Sequence, residues 1–263
     1  MSFQPVIPMS GYAGWRFLQR TMDTQKMAFV ESAPIKRAED YFREKIGAVR
    51  TAEDLVSDRR LLEVALGAFG LDDDINNRFF IRKILEDGTL KPEALANKLA
   101  DKRYAAFSRA FGFADLGGLT GISGFADKII AKYEDRQFER AVGEQNDQMR
   151  LALNLQSGIK TVLEQANGET ARWFSIMGDA PLRSVFQTAL GFGTGFASID
   201  LDQQLTGFRE RSQAVFGTAD PAELADPSLQ EKVIRLFMIR AEAANVASTS
   251  AGSIALSLLR FGQ

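Results

Sequence analysis

The chain has 263 residues, 45% hydrophobic and 25% charged, which suffices for one large or two medium soluble domains. A formal net charge of −2 and a pI of about 5.5 favour neither nucleic acid nor an anionic membrane surface as a partner. It contains no cysteine and no histidine, which excludes a disulfide framework, a Cys/His zinc site, a Ser-His-Asp triad and a thiol nucleophile.

Catalysis would therefore have to rest on carboxylates, Lys, Tyr, Ser/Thr or a bound cofactor. No such constellation stands out, so no catalytic residue, cofactor or metal is expected. Twenty Phe against four Tyr and two Trp supply aromatic mass without polar handles, which suits core packing. No apolar run approaches the ~20 residues of a membrane span. Met1-Ser2-Phe3-Gln4-Pro5 has no basic region followed by an apolar stretch. That points to the cytoplasm, or to export by a route without a cleaved signal.

In chain order, residues 1–30 read as an extended arm followed by a first helix. Pro5, Pro8 and Gly11 mark the arm, and Trp15, Leu18, Met22 and Phe29 share part of a helix face. Phe3, Tyr12, Trp15 and Phe17 crowd apolar surface ahead of the first strong helix. They either pack back on their own body or dock on another subunit or partner. Residues 31–115 form a first helical half. Ser32 caps a helix with Pro34 in its first turn, Gly47 ends it, and Thr51-Ala52-Glu53-Asp54 opens the next. Asp73 or Asp74 is expected to cap a helix over residues 75–87. Residues 116–167 comprise a glycine-rich linker and a long helical region, with Gly143 and Gly158 as breaks or points of close contact. Residues 168–243 form a second half. Residues 244–263 are a tail or a docking helix, apolar around Ile254 and Leu258.

The two halves resemble each other. Leu55-Val56-Ser57-Asp58-x-x-Leu61-x-x-Val64-x-x-x-Ala68-Phe69-Gly70-Leu71 matches Ile176-Met177-Gly178-Asp179-x-x-Leu182-x-x-Val185-x-x-x-Ala189-Leu190-Gly191-Phe192 at a constant offset of 121 residues. Asp58 and Asp179 stand where a helix N-cap belongs, and Gly70 and Gly191 where a left-handed residue ends the helix. Downstream, Asp74-Ile75 aligns with Asp200-Leu201 at offset 126, with the extra residues in Gly191–Ala197. Asp101-x-x-Tyr104 aligns with Asp226-x-x-Leu229. Asp58, Asp101, Asp179 and Asp226 are thus four structural caps in one order. The alternative is two ordinary runs of capped helices that look alike because caps look alike. No alternating strand pattern appears, so the fold class is all-α, with roughly ten to twelve helices and a duplicated helical module.

Other motifs yield to plain readings. Gly191-x-Gly193-x-Gly195 follows a helix end, lacks the Lys-Ser/Thr of a phosphate loop, and reads as a helix-ending loop. Asp72-Asp73-Asp74 lacks the spacing of a calcium loop. Glu134-Asp135-Arg136-x-x-Glu139-Arg140 suits a solvated helix face with opposite charges at i,i+4.

Glu53-Asp54-Leu55-x-x-Asp58-x-Arg60-Leu61-Leu62, Ala68-Phe69-Gly70-Leu71, Phe80-Ile81-x-Lys83-x-Leu85-Glu86-x-Gly88 and Ala110-Phe111-Gly112-Phe113 resemble an uncharacterised alphaproteobacterial family that carries a domain-of-unknown-function label. Val142-Gly143-Glu144-Gln145 and Met149-Arg150-Leu151-Ala152-Leu153-Asn154 are similar to it too. The resemblance covers about residues 15–245 and implies an α-helical protein often encoded among flagellar genes. The expectation is a non-enzymatic protein–protein interaction protein, with a flagellar component as candidate partner and self-association as an alternative. The competing expectation is an enzyme or small-ligand binder with its site between the halves.

Overall fold

The structure, a computed structural model, describes residues 3–99 and 101–261, and side chains as far as Val246. All regular structure in these residues is helical, with fourteen α-helices, four short 3-10 turns and no strand. The chain divides into two compact units. One holds Met1–Val6 and Thr21–Val142, the other Ile7–Arg20 and Gly143–Gln263.

The first unit contains the second half of α1 (Gly11–Val30), then α2 (Ala33–Lys45), α3 (Ala52–Ser57) and α4 (Arg59–Gly67). It continues through α5 (Arg78–Asp87), α6 (Leu95–Lys98), α7 (Arg103–Phe111), α8 (Phe113–Leu116) and most of α9 (Phe125–Gln145). Thr51 opens α3 with a capping box: its side chain accepts from Asp54 N–H, and the Asp54 carboxylate accepts from Thr51 N–H. Leu61, Leu62, Val64, Ala65 and Leu66 of α4 are buried. Phe42, Leu55, Ile84, Leu85, Phe107 and Phe111 complete this core. Burying each such side chain stabilises the fold by about 1.5–3 kcal/mol.

The second unit contains the start of α1 and the end of α9. After them come α10 (Asp147–Gln165), α11 (Glu169–Gly178), α12 (Ala180–Leu190), α13 (Leu201–Phe216) and α14 (Pro227–Phe261). Trp173, Val185, Phe186, Phe208, Ile234 and Met238 form its centre.

The helix order of one half recurs in the other. α3, α4, a 3-10 turn at Asp72–Asn76, α5, α6 and α7 correspond to α11, α12, a 3-10 turn at Thr194–Ser198, α13, a 3-10 turn at Glu223–Ala225 and α14. Packing recurs with it: α3 lies on α4 and on α5, as α11 does on α12 and on α13. The correspondence reaches one helix upstream of the sequence match, because α2 packs on α4 as α10 packs on α12. The ends of α4 and α12 agree in detail. Gly70 (φ 67°) and Gly191 (φ 76°) take the left-handed conformation. Leu71 N–H then donates to Leu66 O, and Phe192 N–H to Gln187 O, in the same register. An arginine caps each end from the closing helix of its half: Arg103 donates to Gly70 O, and Arg240 to Ala189 O.

Two local expectations change, and two readings left open narrow. Ser32 stands at the N-cap position of α2, but its hydroxyl makes no capping hydrogen bond. α5 begins at Arg78 with Asn77 at its N-cap position, because the Asp74 carboxylate is engaged by the Tyr104 hydroxyl (2.6 Å) and the Asn77 amide (2.7 Å). The long helical region breaks at Asn146 rather than at either glycine. Asn146 is extended and accepts from Met149 N–H (3.1 Å), so it starts a new helix. Gly143 and Gly158 are points of close contact instead: an added Cβ would lie 2.5 Å from Arg150 Cδ and 2.7 Å from Leu182 Cδ2. The helix α14 runs on through the stretch read as a tail or a docking helix, and the side chains of Ile254 and Leu258 lie outside the described residues.

Candidate functional site

Each of the four aspartates accepts backbone hydrogen bonds at a helix start. Asp58 accepts from Arg60 and Leu61 N–H (2.9 and 3.1 Å) and Asp179 from Leu182 N–H (2.9 Å). Asp226 accepts from Ser228 and Leu229 N–H (2.8 and 3.3 Å), whereas Asp101 stands one residue ahead of the N-cap position of α7, which Lys102 holds, and accepts from Arg103 N–H (2.9 Å). Asp58 also takes the Tyr41 hydroxyl at 2.6 Å. These carboxylates are occupied in holding helix ends.

The N-terminal arm is strapped down by Gln25. Val6 N–H donates to Gln25 Oε1 (2.6 Å), and Gln25 Nε2 donates to Val6 O (3.2 Å) and Thr21 Oγ1 (2.7 Å). Pro5 is buried and Phe3 half-buried, while the side chains of Val6 and Met9 are exposed. Further on, the start of α1 converges on Glu231 of α14. The carboxylate accepts from the Tyr12 hydroxyl (2.8 Å), Gln19 Nε2 (2.9 Å) and Trp15 Nε1 (3.4 Å), with Arg16 at 3.6 Å. Burial and the hydrogen bond to Glu231 push the Tyr12 hydroxyl above its ordinary pKa. Trp15 is fully buried in the second unit and Phe17 half-buried.

A second apolar surface had no counterpart among the sequence candidates. It is built where α12 ends and the extra glycine-rich residues of the second half begin. Once Gly191 has turned the chain out of α12, Phe192 and Phe196 stack face to face, 3.7 Å between ring centroids and 13° apart. Phe208 of α13 meets both rings edge-on at 5.2 Å. Behind it Trp173 stacks at 5.5 Å on Phe208 and meets Phe186 at 5.7 Å, with its indole N–H on Ala219 O (2.7 Å). A continuous aromatic column therefore runs from the core of this unit to half-exposed rings. Gly207 makes room for the outermost ring, since a Cβ there would lie 3.0 Å from Phe196 Cε2. Beside the rings, Phe196, Ile199 and Gly207 line a shallow groove edged by Asp202 and Glu210. Two Phe at i,i+4, the second among residues that the other half lacks, were the available sequence signal.

The first unit has a charged cluster of another kind. Glu39 of α2 is 6% exposed, and its Oε1 lacks a hydrogen-bond partner. Burial, then the nearby Glu134 carboxylate of α9, push its carboxyl up to about 7. Among the described residues, no group of three or more acidic side chains could hold a metal ion. No helix among them is long and apolar enough to cross a membrane.

The fold is shared with protein AGR_C_984 from Agrobacterium tumefaciens, known from an X-ray crystal structure. The TM-score is 0.73 and the identity 27%, over 92% of this chain and 99% of that one. A family described as "Protein of unknown function (DUF1217)" matches residues 68–229. No curated protein matches the sequence.

Proposed function

Since the chain belongs to this family of unknown function, with an alphaproteobacterial relative of the same fold, we propose that it is a non-enzymatic helical protein that works by protein–protein contact in flagellar assembly or motility. The observation that carries the contact reading is the stacked Phe192–Phe196 pair. Two aromatic rings stack at the surface, Phe192 at the end of α12 and Phe196 among the residues that the other half lacks, over a helix glycine that makes room for one of them. Rigid aromatic side chains are the usual anchors of protein interfaces. The exposed Val6 and Met9 of the arm offer a second apolar contact. The flagellar part rests on the sequence resemblance, which implies genes that lie among flagellar genes. The place of action is then the cytoplasm or the flagellar apparatus.

The test is a chromosomal Phe192→Ser/Phe196→Ser variant in the native cell. Loss of swimming at unchanged growth rate and unchanged protein level, with loss of a co-purifying flagellar component, supports the proposal. Normal swimming of both this variant and a gene deletion would sink the flagellar part. A small ligand retained through purification would favour a binding protein instead.

A further inference from the structure

Building on the reading of the aromatic platform as a contact surface, we propose that its groove receives helix α5 of a second copy of this chain, with Phe79 as the inserted side chain. Phe79 is 83% exposed, the most exposed large apolar side chain among the described residues. Phe79 is the second residue of α5, and that helix buries Ile81, Ile84 and Leu85 instead. Phe79 is flanked by Arg78, which makes no ion pair among the described residues, and one turn on by Lys83. Lys83 is tied to Asp87 at 2.7 Å in a solvent-exposed pair of the kind that contributes little.

The groove has the opposite character. It is lined by Phe196, whose ring lies against Gly207, by Ile199, and by the polar Gln203 and Thr206. Asp202 and Glu210 stand on the same face of α13, eight residues and so about 12 Å apart. Neither carboxylate makes an ion pair among the described residues. The apolar surface of Phe196 and Ile199 beside two carboxylates matches an aromatic side chain between two cations in both hydrophobicity and charge. Such complementarity selects a partner and its register more than it adds affinity.

The two surfaces are different patches of one chain, so the contact is head-to-tail. Each added copy leaves one donor helix and one groove unfilled, and growth continues until a ring closes or a filament extends. A stable contact needs ~1,200–2,000 Å² of buried area, so Phe79 anchors a broader meeting of α5 with the platform.

The experiment is sedimentation velocity on the full chain, raised from micromolar toward millimolar concentration, with Phe79→Ser as the donor-defective variant and Asp202→Lys/Glu210→Lys as the acceptor-defective one. All three positions are solvent-exposed, and circular dichroism checks that each variant stays folded. Wild type is expected to grow beyond twice the mass of one chain. Each variant alone stays at the mass of one chain, and their equimolar mixture stops at two. A wild type that remains a single chain throughout overturns the proposal, as does a variant that assembles like wild type or a mixture that fails to pair. If wild type is monomeric while Phe192→Ser/Phe196→Ser still loses a native partner, the self-assembly inference fails and the contact reading stands.

Discussion

At the scale of single residues, polar groups either hold helix ends or sit in cores at a cost. Asp58 does two jobs, since it caps α4 and takes the Tyr41 hydroxyl. Asp58→Ala is expected to lower stability by about 1–2 kcal/mol, read as a shift in the urea midpoint. An unchanged midpoint would show the cap to be dispensable. Glu39 behaves in the opposite sense. Its carboxyl, raised from an ordinary 4.5 to about 7, faces Glu134 and Tyr133 of α9 and Arg43 and Asp40 of its own helix. Between those two values the unfolded chain has released a proton that the folded chain still holds, so stability falls as pH rises through that window and levels off above it. The loss is on the order of 1–3 kcal/mol. Gln cannot ionise, so Glu39→Gln should gain on wild type as pH rises from acid to neutral. Thermal melts of both proteins across that range check this, and a constant gap between them would refute it.

At the scale of elements, two helix glycines make a contrasting pair. Gly158 of α10 lies under Leu182 of α12, and a Cβ would come within 2.7 Å of Leu182 Cδ2. Gly178, the last residue of α11, has nothing within 4 Å of the same position. Gly158→Val should therefore destabilise by about 1–3 kcal/mol through overpacking. Gly178→Ala should be neutral or stabilise by about 0.4–1 kcal/mol, by reducing the freedom of the unfolded chain. Denaturant titrations of the two variants give the comparison, and a Gly158→Val variant as stable as wild type would mean that the packing of α10 on α12 does not govern this site. The stacked Phe192–Phe196 pair belongs to this scale too. It exists because the insertion after α12 is long enough to fold its rings back over α13.

At the scale of the whole molecule, the sequence halves and the compact units do not coincide. Residues 7–20 belong to the unit that otherwise holds the second half, and residues 125–142 to the unit that otherwise holds the first. The start of α1 thus lies in the unit of the second half, and most of α9 in the unit of the first. A chain cut in the glycine-rich linker should then remain one particle. A protease site placed between Gly117 and Gly124 tests this: after cleavage the two fragments should co-elute with an unchanged helical circular dichroism spectrum. Separation of the fragments without denaturant would contradict the reciprocal arrangement.

The sequence by itself determined the all-helical class, the repeated order of helices and the placement of caps such as Asp58 and Gly191. These depend on contacts within a turn or two of chain, where side-chain type and spacing are sufficient to decide the outcome. It misjudged the start of α5 because Asp74 is claimed by Tyr104, thirty residues away. Tertiary structure alone decided that Trp15 is core, that Tyr12 and Gln19 meet on Glu231 more than two hundred residues later, that Phe79 faces outward, and that Phe192 and Phe196 stack over α13. Those outcomes follow from burial of apolar surface, which is strong but non-directional. It requires that aromatic side chains find cover, and only the packed helices determine which ones do.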